Sequence, residues 1–239
     1  MADQALGLMA QNLTKRFTGS GSDVLALDGI NLEVPKGGFT SVIGPSGCGK
    51  STLLRILSDL IEPTTGQAEV NGKSPREARE AREFGVVFQA PNLLPWRTVL
   101  KNVTLPLQVM KVDRADRAET ATDMLELVGL PGFERHHPWQ LSGGMQQRVA
   151  IARALSMQPS VLFMDEPFGA LDEITRDRLN LELIRIWAQT SATIMFITHS
   201  LTEAVFMSTQ VAVMSARPGR IPEVIDIDLP AERTAETRD

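Results

Sequence analysis

Apolar residues along this chain gather in short runs separated by stretches with helical spacing. Phe39 to Ile43, Phe84 to Phe88, Val161 to Asp165, Thr193 to Thr198 and Val211 to Met214 read as strands, several of them bounded by glycine. Between them, Ser51 to Ile61 sets Leu53, Leu54, Leu57 and Leu60 on one helical face. Leu179 to Gln189 does the same with Leu179, Leu183, Ile186 and Trp187. Alternation of short strand-like runs with such helices predicts a largely parallel sheet with helices on its faces. Asn92 to Pro159 breaks the alternation, lacking strand runs and carrying periods such as Ala118, Ala121, Met124 and Val128. The chain therefore divides into an α/β core, 1–89 and 160–228, a helical subdomain, 90–159, and a polar tail, 229–239. Arg76 to Glu83 alternates sign at helical neighbour distances, as a solvated helix face does.

With 239 residues, 43% hydrophobic and 22% charged, the chain can bury a full core. Its net charge of −5 leaves no basic excess to hold a polyanion, so nucleic acid is not an expected partner. One cysteine and three histidines offer neither an intrachain bridge nor zinc spacing, which fits a reducing cytosol. Adjacent His136 and His137 cannot share a helix face as ligands and read as surface or packing residues. Met1 to Phe17 has an acid at Asp3 and neither a basic region nor an apolar stretch for export, and no run approaches the length of a membrane span. Any membrane association is expected to come through a partner.

The chemistry begins at Gly44-Pro-Ser-Gly-Cys-Gly-Lys-Ser51, a G-x-x-x-x-G-K-[ST] loop between a strand run and a helix. Glycines let the backbone wind round a phosphate chain with its amides converging, and the helix that follows adds its positive end. Lys50 would reach the β and γ phosphates and the Ser51 hydroxyl would ligate Mg²⁺. Cys48, inside this loop, is expected to be open to a bulky thiol reagent that ATP would exclude. Kinases, GTPases, helicases and transport ATPases all use such a loop, so other residues must choose among them. Val161-Leu-Phe-Met-Asp-Glu166 delivers two acids to the carboxyl edge of the sheet, Asp165 for the Mg²⁺ shell and Glu166 to polarise water. Leu141-Ser-Gly-Gly-Met-Gln146, ahead of an apolar helix, is a second bare helix N-terminus and reads either as an anion site or as a flexible cap through Ser142.

Together these residues resemble the nucleotide-binding subunit of ATP-binding cassette transporters, from about Leu8 to Leu229. Gly44 to Thr52, including Ser46, Gly47 and Gly49, resembles the Walker A loop. Gln89 resembles the Q-loop residue, Leu141 to Gln146 the signature motif, Val161 to Glu166 the Walker B strand, Ala170-Leu-Asp172 the D-loop and His199 the switch histidine. Phe17 stands where the family stacks an aromatic on adenine; the family favours tyrosine, and this chain has none. The resemblance implies a P-loop NTPase core with a mostly parallel sheet, a small antiparallel β subdomain and an inserted α-helical subdomain. It implies ATP and Mg²⁺ as cofactors, with Gln89 also reaching the metal. It further implies a second ATPase subunit, an identical copy, packed head to tail so that Ser142, Gly143, Gly144 and Gln146 meet the γ phosphate held by the other chain. His199 would contact that phosphate and Asp172 would face the partner.

Other partners implied are transmembrane permease subunits and, indirectly, a solute-binding protein, on the cytoplasmic face of the inner membrane. Leu93, Leu94 and Trp96 lie where a short permease helix could be received, or they pack the helical subdomain. Asn92 to Val99 and Ser215-Ala-Arg-Pro-Gly-Arg-Ile221 resemble importer ATPases for nitrate, taurine and alkanesulfonates. The competing class is a soluble cassette ATPase acting on nucleic acid or ribosomes. The short span from Gly49 to Gln140 and the single cassette favour transport, and a P-loop kinase would leave the signature loop unexplained.

Overall fold

The computed structural model describes residues 5–18, 23–230 and 233; the expected tail beyond Pro230 lies, apart from Arg233, outside the described residues. In chain order the strands are β1 (Leu6–Phe17), β2 (Val24–Pro35), β3 (Phe39–Ile43), β4 (Thr65–Val70), β5 (Phe84–Val87), β6 (Val161–Asp165), β7 (Thr193–Ile197), β8 (Gln210–Val213) and β9 (Glu223–Asp226). The helices are α1 (Lys50–Leu57), α2 (Pro75–Glu80), α3 (Val99–Val103), α4 (Leu105–Val109), α5 (Arg114–Leu127), α6 (Gly143–Leu155), α7 (Glu173–Thr190) and α8 (Leu201–Met207).

The chain divides into two compact units. The first takes the residues up to Phe84, Ser160–Asp165 and the residues from Ser191 onward; the second takes Gly85–Pro159 and Glu166–Thr190. In the first unit the main sheet orders its strands β6-β7-β3-β8-β9, parallel from β6 to β8 with β9 antiparallel. β7 is buried along its whole length and β3 and β6 up to their last residue, which is why their sequences are mostly apolar, the buried exceptions being Thr40, Ser41 and Thr193. Phe84 packs edge-on against Phe163 with ring centroids 5.3 Å apart. A separate antiparallel sheet, β2-β1-β4, carries the second apolar layer through Leu8, Leu13, Leu27, Ile30 and Val34.

The strands β1, β2, β4 and β9 have no counterpart among the runs read from the sequence. In β1 and β2 the register slips repeatedly, between Ala10 and Leu13 among other places, and each slip breaks the alternation of apolar and polar positions. α1 is also shorter than its apolar face implied. Asp59 turns left-handed at φ 53°, and the amides of Asp59 and Leu60 close back onto Ile56 O and Arg55 O, a Schellman stop. Leu60 is thereby expelled and is 51% exposed.

α2 carries the charge alternation on a helix as far as Glu80, where Arg76 pairs with Glu80 and Ser74 and Glu77 form a capping box, but it stops short of the expected Glu83 because Arg82 turns left-handed at φ 59°. In the second unit, buried Asn102 of α3 accepts the Leu94 N–H at 2.8 Å and donates to Leu94 O, Arg97 O and Thr98 O, holding a compact turn around Trp96. Ala118 is exposed on α5, whose buried residues are Ala121 and Leu125. Glu166–Thr190 groups with the helices, whereas the sequence reading placed it in the α/β core. The reason is α7 against α6: a Cβ on Gly144 would stand 3.0 Å from Thr175 and 3.8 Å from Leu179.

Leu54→Ala, which empties a fully buried position, is expected to destabilise the chain by about 2–5 kcal/mol. Leu60→Ala should change stability by less than about 0.5 kcal/mol. Urea unfolding of both variants checks the corrected end of α1.

Candidate functional site

In the first unit three chain segments reach the carboxyl edge of the sheet side by side. Ile197 of β7 pairs with Val42 of β3 on one side and with Asp165 of β6 on the other. Two residues past Val42 the chain enters the loop Gly44–Gly49, two residues past Ile197 stands exposed His199, and Asp165 closes β6. Parallel pairing thus gathers the loop, the acid and the histidine from far-apart stretches of sequence.

The loop is wound by glycine. Gly47 has φ 73° and Gly49, the N-cap of α1, φ 115°, conformations that L side chains rarely adopt. No side chain caps α1, so its first-turn amides stay available to an anion. Lys50, 6% exposed, donates from Nζ to Gly44 O at 2.9 Å and Pro45 O at 3.2 Å. An ammonium resting on loop carbonyls is a cation already placed where phosphate charge would arrive. Ser51 Oγ donates to Asp165 Oδ1 at 2.9 Å, tying the start of α1 to the end of β6. Ser46 and Gly47 are exposed and Thr52 half-buried along the same turn.

Phe17 ends β1 opposite Val24, is 42% exposed, and carries Lys15 Nζ 5.1 Å from its ring centroid. Cys48 corrects an expectation: it is 2% exposed, so its thiol faces protein and not the solvent above the loop.

The second unit holds the remaining residues. A Cβ on Gly169 would stand 3.6 Å from Gln89 Nε2 and 3.7 Å from Glu166 Oε2, so both polar groups converge on one bare backbone position. Glu166 itself is left-handed, at φ 45°. Ser142 caps α6 by accepting the Met145 N–H at 3.3 Å, while Gln146 Nε2 donates to Pro138 O and Leu141 O and so binds its own loop. Gly143 lies 3.6 Å from Leu171, measured from where a Cβ would be. Asp172 caps α7 through Thr175 N–H at 2.9 Å, and the Thr175 backbone and hydroxyl hold its carboxyl below the ordinary range. His136 packs on Phe133 and His137 stacks on Trp139 with centroids 4.4 Å apart, as packing residues do.

Two residues that sequence reasoning missed bind the Gln89 segment to α6. Gln147 Nε2 donates to Phe88 O at 3.1 Å, and Arg153 donates to Asn92 O and Pro91 O, each at 2.8 Å. Desolvation pulls the Arg153 pKa below its usual value, and the two carbonyls offset that burial. The available signal was Gln147, Arg148 and Arg153 recurring on a helix otherwise rich in Val, Ile and Ala.

A phosphate loop ending β3, an acid on β6 and a glycine-led helix α6 define an ATP-binding cassette. The comparisons agree. Residues 27–169 match the family model described as ABC transporter. An uncharacterized ABC transporter ATP-binding protein of Methanocaldococcus jannaschii is 52% identical, the alignment covering 95% of this chain and 85% of that one. The taurine import ATP-binding protein TauB of Rhizobium johnstonii is 46% identical over 92% of this chain and 82% of its own. The dimeric structure of a bacterial ABC transporter cassette superposes with a TM-score of 0.82 at 32% identity, covering 93% of this chain and all of that one. This chain belongs to the ABC transporter family as an ATP-binding protein, and it is an ATPase. Among the described residues no helix is long and apolar enough to cross a membrane.

Burial of Cys48 sets a test of the loop's packing. A bulky disulfide reagent should modify folded protein at least about tenfold more slowly than urea-unfolded protein. Equal rates, followed by thiol release, would mean that the loop is open.

Proposed function

We propose that this chain is the energy-supplying subunit of an importer for a small anion such as taurine, another sulfonate or nitrate, working as a pair of identical copies. The Ser51–Asp165 hydrogen bond at 2.9 Å carries the nucleotide part of the reading, because it sets a hydroxyl and a carboxylate together beside the phosphate loop. Both are hard oxygen donors of the kind Mg²⁺ takes alongside phosphate oxygens and water. Mg²⁺ would be held by Ser51 and Asp165 with Gln89 reaching it, and would offset charge building on the phosphate oxygens.

On this reading Lys50 and the amides of Gly44–Thr52 bind the phosphates, Phe17 stacks on the base, Glu166 polarises the attacking water and His199 orients it. Ser142, Gly143, Gly144 and Gln146 of one copy complete the site of the other, with Asp172 at the boundary. The dimeric form of the related bacterial cassette supports this arrangement. A γ phosphate bridging two sets of donors draws the copies together, and its loss on hydrolysis releases them. The stroke passes to a permease at the cytoplasmic face of the membrane, through the turn carrying Leu93, Leu94 and Trp96. Trp96 is 72% exposed there although its turn is held rigidly by Asn102, which favours a receiving surface over internal packing. The anion class is supported by the taurine import relative and by the resemblance of Asn92–Val99 and Ser215–Ile221 to such importers. A solute-binding protein would select the anion.

Glu166→Gln should keep ATP binding, accumulate an ATP-bound dimer in size-exclusion chromatography and lower turnover at least about 100-fold. Turnover at the wild-type rate removes the water-polarising role. Mixed dimers of Lys50→Ala and Ser142→Arg chains should retain at most one working site. Wild-type rates in every mixture would refute shared sites.

A further inference from the structure

The loop Ser215–Ile221 joins β8 to β9 and folds back onto the phosphate loop. Its neck is closed by Ser215, whose N–H donates to Arg220 O at 2.9 Å and whose Oγ accepts the Arg220 N–H at 3.1 Å. Its tip is fastened to β2: Gly219 N–H donates to Ala26 O at 2.9 Å, Asp28 N–H donates to Gly219 O at 3.0 Å, and the Arg220 guanidinium pairs with Asp28.

From that anchorage the tip bears directly on the phosphate loop. A Cβ on Gly219 would stand 2.2 Å from Cys48 O, and one on Gly44 would stand 2.6 Å from Met214 O, so backbone meets backbone at both ends of the turn. Gly49 meets Leu27 of the same β2 segment, with only 2.6 Å for a Cβ. On the outer side the Arg217 guanidinium donates to Gly47 O from Nη2 at 3.1 Å and from Nε at 3.3 Å.

A phosphate loop presents amides inward, so carbonyls turn outward, and fixing each of its residues costs backbone entropy. Anything that holds the turn wound before the ligand arrives lowers that cost at binding. We propose that Arg217 is a positioning residue for nucleotide binding: through the Gly47 carbonyl it fixes the Gly47–Cys48 peptide, while side-chain-free Gly219 sets how closely the brace approaches. Arg217 acts through the loop and does not touch the nucleotide. This rests on Gly44–Ser51 being the phosphate site, so the test separates the two.

Affinity for a fluorescent ATP analogue, KM and kcat for ATP, and the melting temperature with and without nucleotide are measured on the full chain. Arg217→Ala should weaken analogue affinity and raise KM about three- to tenfold, the scale of one exposed charge-assisted hydrogen bond, with kcat within about twofold. Arg217 is exposed, so the melting temperature without nucleotide should stay near wild type and only the gain on adding ATP should shrink. Arg217→Lys, keeping one donor group, should recover part of the affinity, and Gly219→Ala should lose more than Arg217→Ala. Ala216→Ser, exposed on the same loop, should match wild type. Wild-type affinity and KM in Arg217→Ala, alongside lost binding in Lys50→Ala, overturn the brace alone. Wild-type affinity in Lys50→Ala overturns the phosphate site and the brace with it. A fall in kcat at unchanged KM, or a lowered melting temperature with an unchanged ATP response, also overturns the positioning role.

Discussion

Close approach of bare backbone is the constraint on which this cassette depends. The turn from β3 into α1 must present several amides to one side within a few residues, and the chain packs against its back at Gly44 and Gly49 with under 3 Å left for any Cβ. Glycine meets both demands, since it tolerates φ of 115° at the helix cap and lets Leu27 and Met214 press on the loop. Lys50 and Ser51 then have fixed starting points, and their partners, loop carbonyls and Asp165, lie within hydrogen-bond reach.

The second unit uses the same economy differently. Its helix α6 presents a glycine-led N-terminus and also binds carbonyls on either side of Gln89 through Gln147 and Arg153. The signature residues and the Gln89 segment therefore share one rigid support. Asp172 and Ser142 both serve as helix caps, so residues proposed for nucleotide and partner contact also hold the starts of α7 and α6.

Much of the fold was legible because its cues are local. β3, β6 and β7 are buried on both faces and appear as short, mostly apolar runs, and α2 is announced by its alternating charge. The antiparallel sheet was not, because slips in the register of β1 and β2 scatter the period-two pattern over twelve-residue strands. Leu60 misled because helical spacing continues past the point where Asp59 ends the helix. Glu166–Thr190 follows a core strand in sequence, yet small Gly144 draws α7 onto α6.

By itself the sequence determined the loop chemistry of Gly44–Ser51, the acid closing β6 and the order of motifs that marks the family, since spacing and backbone freedom within a few residues decide these. Only tertiary structure decided that Ile197 lies between Val42 and Asp165, that Cys48 points into protein, and that Arg217 reaches Gly47 across 170 positions of chain. Register between distant parallel strands follows from how whole faces bury together, and no short window of residues carries that information.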